Sequence, residues 1–413
     1  LLSKRGAVAP KGQGRTEQRL LATAVFGLLA YGAVMVYSAA SATAVLESGS
    51  TGLSYLLKFL GFAAVGLVGM AFCARRGVAL VPRLAGPAVA VCLLLVVAVH
   101  IPGIGVAVNG GRRWIGRGPL RFEPAELLKL ALILYAASLL ARRPEAVRSL
   151  STVARPLLLV CGAGAALVAS EPDLGSAIVI VCTVAAMLVA AGMPLGKLAQ
   201  LALLLAGLVL LYALARPYAR ARLTSFLNPW AHASGSGFQA VQAQLALGSG
   251  GIFGVGPGRS VQKAFFLPEA PTDFILAVIG EELGLVGIAV LLGLYGLIAF
   301  VGLRVARKAR SLYAALLAVG CTALITSQAL LNVFAVLGLA PLTGVPLPLV
   351  SYGSTSMVVT LCACGLIQGV AAGQSPHLRV VAPRRAANRR AGGRARSRPP
   401  RPLASGRAGR RAR

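Results

Sequence analysis

The sequence predicts an all-α polytopic membrane protein of about ten transmembrane helices, with a long extracytoplasmic loop between helices 7 and 8. Three observations predict it. Of 413 residues, 57% are hydrophobic and 13% charged, about half the charge of an average soluble domain. The apolar residues fall in repeated runs of about 20, the length a helix needs to cross a bilayer. The basic residues alternate along the chain: 30 of the 41 sit in the terminal segments and every second loop. That bias marks cytoplasmic loops. The composition excludes a soluble enzyme and a wholly disordered chain.

The runs lie near 20–41, 53–73, 84–101, 124–141, 154–171, 174–193, 197–215, 273–303, 312–340 and 352–373. An even number puts both termini on the same side, which the basic bias makes cytoplasmic. Residues 1–19 form a basic N-terminal segment, 20–373 the transmembrane domain, and 374–413 an Arg-rich tail without acidic residues. The tail reads as disordered and suited to anionic membrane lipid rather than nucleic acid. On the opposite side lie short turns near 42–52, 171–174 and 341–351, a Gly/Arg-rich loop near 102–123, and the long segment 216–272. Within that segment Phe238, Val241 and Leu245 recur at helical spacing beside Gln239, Gln242 and Gln244. This predicts a short amphipathic helix at the interface.

The seven cysteines fall almost entirely inside predicted spans, where Cys behaves as a small hydrophobe. His100, His232 and His377 lack metal-ligand spacing. There is no Walker A loop, dinucleotide fingerprint or GxSxG elbow, so nothing supports ATP hydrolysis or serine-hydrolase chemistry.

The charges that break the topology rule carry the functional signal. Arg112, Arg113, Arg117, Arg121, Arg216, Arg220, Arg222, Arg259 and Lys263 map to the outer side, and Lys129 starts a span from it. Such a cluster suits a phosphate or diphosphate head group. Pairing with outer-leaflet lipid or local carboxylates is the simpler alternative. The chain has two aspartates, Asp173 and Asp273, each at the mouth of a span on that side. Ala277, Gly280 and Gly284 fall within about 40° of Asp273 on a helical projection. This stripe permits close packing or leaves a cavity. A carboxylate above it, facing a basic loop, is a candidate general base; capping of the helix dipole is the alternative role. Glu281 and Glu282 lie about 12 Å deeper. They must be protonated, paired or facing water, since a carboxylate at mid-membrane costs about 2.5–3.5 kcal/mol. Glu126 and Lys129 have the spacing of a local ion pair, structural or site-lining. The turn Glu171-Pro172-Asp173-Leu174-Gly175 asks for a partner such as a loop arginine, or for a capping role. Trp114 and Trp230 read as interfacial anchors.

Eight blocks in order carry a resemblance. They are Val36-Tyr37-Ser38-Ala39, Asn109-Gly110-Gly111-Arg112-Arg113-Trp114-Ile115, Phe122-Glu123-Pro124-Ala125-Glu126-Leu127-Leu128-Lys129, Glu171-Pro172-Asp173-Leu174-Gly175, and Gly250-Gly251-Ile252-Phe253-Gly254-Val255-Gly256. Leu267-Pro268-Glu269-Ala270-Pro271-Thr272-Asp273-Phe274, Gly280-Glu281-Glu282-Leu283-Gly284, and Pro346-Leu347-Pro348 with Ser351-Tyr352-Gly353 complete the set. Over residues 20–373 the chain resembles the SEDS family, of the FtsW/RodA type and nearer its division branch. The resemblance implies a peptidoglycan glycosyltransferase. It would polymerise lipid II on the outer face of the bacterial cytoplasmic membrane, at the division septum. Its partners would be a class B penicillin-binding protein and other divisome proteins. Asp273 matches the family's catalytic aspartate. Arg113, Arg216, Arg220, Lys263 and Lys129 become candidate cations for the diphosphate, and Glu126 and Ser351 further substrate contacts. Direct displacement by one base implies inversion at the anomeric carbon. No cofactor is required by any spacing; a Mg²⁺ or Mn²⁺ ion at the diphosphate stays open.

The chain departs from the family's pattern at Glu123, Pro271, Asn228 and Ser354. Pro271 stands where a His is common, which removes any essential proton transfer by that residue here. Two other classes fit ten spans with intramembrane carboxylates: a lipid-precursor flippase or carrier, and a non-catalytic scaffold. No internal repeat is evident and the polar groups cluster on one side, which favours surface chemistry over passage.

Overall fold

The computed structural model describes residues 13–48, 52–108, 111–116, 118, 121–142, 154–215, 217–235, 237–267 and 269–374. The Arg-rich tail from 375 onward, Arg117 and Arg216 lie outside the described residues.

The elements run α1 (Gln13–Ser48), α2 (Leu53–Phe72), a π-helical turn (Cys73–Gly77), α3 (Val78–Val99), β1 (Gly105–Val108), β2 (Gly111–Ile115), α4 (Pro124–Arg142), α5 (Ala154–Ser170), α6 (Leu174–Ala190) and α7 (Leu195–Ala215). They continue with α8 (Pro217–Leu227), α9 (Phe238–Gly250), α10 (Gln262–Phe265), α11 (Ile275–Lys308), α12 (Leu312–Val336) and α13 (Ser354–Ala371). Each of the ten predicted runs meets a helix. Among the described residues seven helices are long and apolar enough to cross a membrane, and α5, α6 and α7 contribute shorter apolar helices.

The bundle is built around α4, α12 and α13, whose residues are mostly buried, while α2 and α3 turn much of their apolar surface outward. Apolar burial does not drive helices together in lipid, so close approach must. At Gly365 of α13, a side chain would strike the Met70 carbonyl of α2. The end of α12 follows from its sequence. Gly338 takes a positive φ of 75° and Leu339 N donates to the Phe334 carbonyl at 2.8 Å. This is a glycine-type helix stop, with Pro341 soon after.

The run 273–303 looks like one uninterrupted helix in sequence, but α11 is broken at Gly284 (φ 65°, ψ −161°). The Gly250–Gly256 segment fills the break. Val255 N and Gly256 N donate to the carbonyls of Glu281 and Glu282 at 2.9 and 3.0 Å. Leu285 N and Val286 N donate to Gly251 and Ile252 carbonyls at 3.0 and 3.2 Å. Irregular backbone at membrane depth is tolerated only when its polar groups are satisfied in this way. A Cβ at Gly284 would collide with Gly254 N and the Ile252 carbonyl. Gly284→Ala should therefore destabilise the protein by about 1–3 kcal/mol or more, seen as a lowered melting temperature in detergent.

The predicted helix of the long loop forms as α9, with its face turned. Val241, Ala243, Ala246 and Gly250 are buried and Leu245 is exposed. Small residues face α11 because Gly250 and Gly280 meet backbone to backbone. The small-residue stripe on α11 is thus used for packing.

Candidate active site

Four segments meet at one end of the bundle: β2, the turn between α5 and α6, the turn before α11, and the connection from α12 to α13. β1 and β2 form an antiparallel hairpin pairing Val106 with Trp114 and Gly105 with Ile115. The hairpin delivers Arg113 to the α5–α6 turn. Arg113 Nε donates to the Glu171 carbonyl at 3.0 Å, and Nη2 donates to the Pro172 carbonyl. The arginine anticipated for this turn does arrive, and it binds main-chain carbonyls. Asp173 serves as N-cap of α6, accepting from Ser176 N at 3.0 Å. The Glu171 side chain is buried, and neither carboxyl oxygen has a partner among the described residues. Burial first, then the neighbouring Asp173, push Glu171 up to about 8, against the pull of Arg113.

Asp273 is differently placed from Asp173. α11 begins at Ile275, Phe274 is its N-cap residue, and no side chain caps it. Asp273 therefore does not take the capping role. It is half-buried, and its carboxylate accepts no hydrogen bond or ion pair among the described residues. Burial, then Glu269 and Asp173, raise it from 3.8 to about 7, while Arg113 and Arg222 act the other way. A Cβ placed on Gly344 would sit 3.3 Å from Asp273 Oδ2 and 3.7 Å from Arg113 Nη1. The carboxylate and the guanidinium thus flank one point that only a glycine leaves open. Beside it Arg222 of α8 donates from Nη1 to the Leu342 carbonyl at 2.9 Å. Arg222 also lines a small open cleft with Ser225, Gln239 and Gln244. An unpartnered carboxyl raised to about 7, within the electrostatic reach of Arg113 and Arg222, can take a proton while neighbouring positive charge stabilises an anion.

The other residues singled out in the sequence are distributed as follows. Lys129 and Glu126 form a fully buried ion pair at 2.6 Å, and Lys129 Nζ also donates to Gln328 Oε1 at 3.1 Å. Lys263 is buried against Glu282 at 2.6 Å and Ser38 at 3.0 Å. Ser38 in turn donates to both Glu282 oxygens at 2.7 and 2.8 Å. Glu281 accepts from Ser260 Oγ and, at 2.9 Å, from Val261 N. Glu282 is thus ion-paired with Lys263, and Glu281 is held by hydrogen bonds. Ser351 is buried and caps its own turn, with Leu347 N donating to Oγ at 2.8 Å. Arg220 is exposed on α8. Among the described residues, Arg113 is the one candidate for the diphosphate that is brought to Asp273. Arg222 and Glu171 were visible as an outer-side charge and a turn carboxylate, but nothing in their spacing ranked them above their neighbours. Among the described residues no three of His, Cys, Asp and Glu gather as metal ligands.

Lys129→Met would strand the buried Glu126 carboxylate, at an expected cost of about 3–5 kcal/mol. Lys129→Met with Glu126→Leu should recover much of that loss. Thermal unfolding of the two variants in detergent checks it; equal melting points would mean the pair is not coupled.

Fold and site define a polytopic helical membrane protein with a carboxylate and guanidinium groups gathered at one end of its bundle. Residues 18–375 match the FtsW/RodA/SpoVE profile, described as cell cycle protein, and the chain belongs to that family. It is 41% identical over 363 residues to the probable peptidoglycan glycosyltransferase FtsW of Thioalkalivibrio sulfidiphilus, covering 86% of this chain and 90% of the relative. It is 37% identical over 344 residues to stage V sporulation protein E of Bacillus subtilis, covering 83% and 93%. Among solved structures, a chain from work on the coordination of polymerization and crosslinking by a peptidoglycan synthase complex aligns with TM-score 0.68 and 30% identity, over 85% of this chain and 96% of that one. Rod shape determining protein RodA of Thermus thermophilus aligns with TM-score 0.59 and 29% identity, over 85% and 95%.

Proposed function

We propose that the chain is a peptidoglycan glycosyltransferase that polymerises lipid II into glycan strands. The observation that carries this reading is the unpartnered Asp273 carboxylate, facing Arg113 across the space at Gly344. The acceptor sugar hydroxyl gives its proton to Asp273 as its oxygen bonds to the donor's anomeric carbon. The bond from that carbon to the polyprenyl diphosphate breaks, and the diphosphate leaves with the electron pair. Arg113 and Arg222 are the cations best placed to stabilise its charge. Arg220, exposed on α8, would meet the diphosphate on approach. Lys129, Glu126, Lys263 and Ser351 already have partners within the protein; their part is to hold the segments that frame the site.

The site end faces outward and both termini lie in the cytoplasm, by the basic bias of the loops. Similarity to FtsW-named relatives supports a role in septal division with a class B penicillin-binding protein. A single base and no second carboxylate nucleophile favour one displacement with inversion. The test is the linkage of the polymer made from purified lipid II with the partner present. The α-linked donor should yield β-linked strands; α-linked strands would refute the single displacement.

A further inference from the structure

The Asp273 carboxylate has no side-chain partner, so its aim is set through its main chain. Two bonds tie the preceding turn to the rest of the protein. Tyr352 N donates to the Pro271 carbonyl at 2.9 Å. Asn332 of α12 donates from Nδ2 to the Asp273 carbonyl at 2.8 Å and to the Val345 carbonyl at 2.8 Å. Among the described residues Asn332 is the side chain that bonds the Asp273 main chain. It is buried, and its Oδ1 has no partner among the described residues. A buried amide oxygen left unsatisfied costs about 1–3 kcal/mol. An apolar residue of similar size would avoid that cost, so the amide's use must lie in its two donated bonds.

Those two bonds join the residue that carries the carboxylate to the residue beside Gly344, the point the carboxylate and Arg113 share. One helical turn earlier, Gln328 repeats the pattern. Its Nε2 donates to the Pro346 carbonyl at 3.1 Å and to Ser356 Oγ at 3.0 Å, and its Oε1 accepts from Lys129. Two amides on one face of α12 thus pin successive carbonyls of the 345–346 segment, and the Asn332 amide also pins Asp273.

We propose that Asn332 is a positioning residue, which holds Asp273 at fixed height and orientation opposite Arg113 by clasping its carbonyl to that of Val345. The inference rests on the glycosyltransferase reading. Without the clasp the turn before α11 can swing outward, since Tyr352 holds it only two residues earlier. The carboxylate then gains water and loses alignment with the acceptor hydroxyl. Misplacement of a catalytic group by about 1 Å can cost about 100-fold in rate.

The groups facing Asp273 are Glu269 on its own turn, Asp173 at the start of α6, Arg113 on β2 and Arg222 on α8. Asn332→Leu leaves all four in place, so a change in pH profile reports the carboxylate's own surroundings. The full-length protein with its penicillin-binding protein partner is assayed with purified lipid II. For Asn332→Leu and Asn332→Ala, turnover per folded molecule should fall about 10- to 100-fold. KM for lipid II should stay within about twofold, because Asn332 is buried and its donated bonds go to protein carbonyls. The acid limb should move down from near 7 as the carboxylate rehydrates. Wild-type turnover and an unmoved acid limb in either folded variant would overturn the proposal. Both variants are read per folded molecule, so loss of yield alone does not mimic the result. If wild type itself makes no polymer, the glycosyltransferase reading fails, and the clasp is then read from the environment of Asp273 alone. Isotope-edited infrared titration of that carboxyl should give a lower midpoint in the variants; an equal midpoint would overturn the clasp.

Discussion

Asp273→Asn should abolish strand formation, with a loss of about 10²- to 10⁴-fold or more, the usual contribution of a general base. The protein should still fold. Burial and the nearby carboxylates lift Asp273 from 3.8 to about 7, so the folded state favours its protonated form. That contribution is full below the ordinary value and is lost as pH rises through about 7. At pH 8 the wild type carries an ionised carboxylate without a hydrogen-bond partner, which asparagine removes. The variant should melt at or above the wild-type temperature. A structural carboxylate such as the Asp173 cap would behave the other way, because its loss frees Ser176 N at the start of α6.

Arg113→Ala should lower turnover about 10²- to 10³-fold, the loss typical of removing one preorganised donor to a developing anion. Arg113→Lys should recover little of it. The guanidinium reaches the Glu171 and Pro172 carbonyls with two nitrogens and presents the third toward Gly344. One ammonium on a flexible stem does not reproduce that fork. Arg113 also pulls Asp273 downward, so its removal should shift the acid limb of turnover upward. Full activity in Arg113→Lys would mean that a point charge suffices there.

The spans were legible because hydropathy accumulates over a long window, and α1 to α7 and α11 to α13 follow their runs. Features that depend on one residue or on distant partners were not. The break in α11 turns on Gly284, which in sequence is one small residue in a helical stripe; only the Gly251–Gly256 backbone filling the gap reveals its use. The face of α9 was misassigned because Ala243, Ala246 and Gly250 have little hydropathy, yet close approach to α11 selects them over Leu245. Lys263 looked like a free cation because its partners, Ser38 and Glu282, lie on other helices, α1 and α11, 225 and 19 residues away. Asp273 and Arg113 were legible as charges at the mouths of spans, where charge is rare enough to notice. Their convergence at Gly344, and the Asn332 clasp beneath it, required the packed bundle. An asparagine inside an apolar run carries no spacing signal.

The most direct measurement is the rate of strand formation from purified lipid II across about pH 5 to 9, for wild type and Asp273→Asn, each with its penicillin-binding protein partner. A base must be ionised to act, so wild-type turnover should rise with pH to half its maximum near the value of about 7 set by the surroundings of Asp273, and the folded variant should form no strands at any pH. Strands from the folded variant with the same pH dependence as wild type would contradict Asp273 as the base.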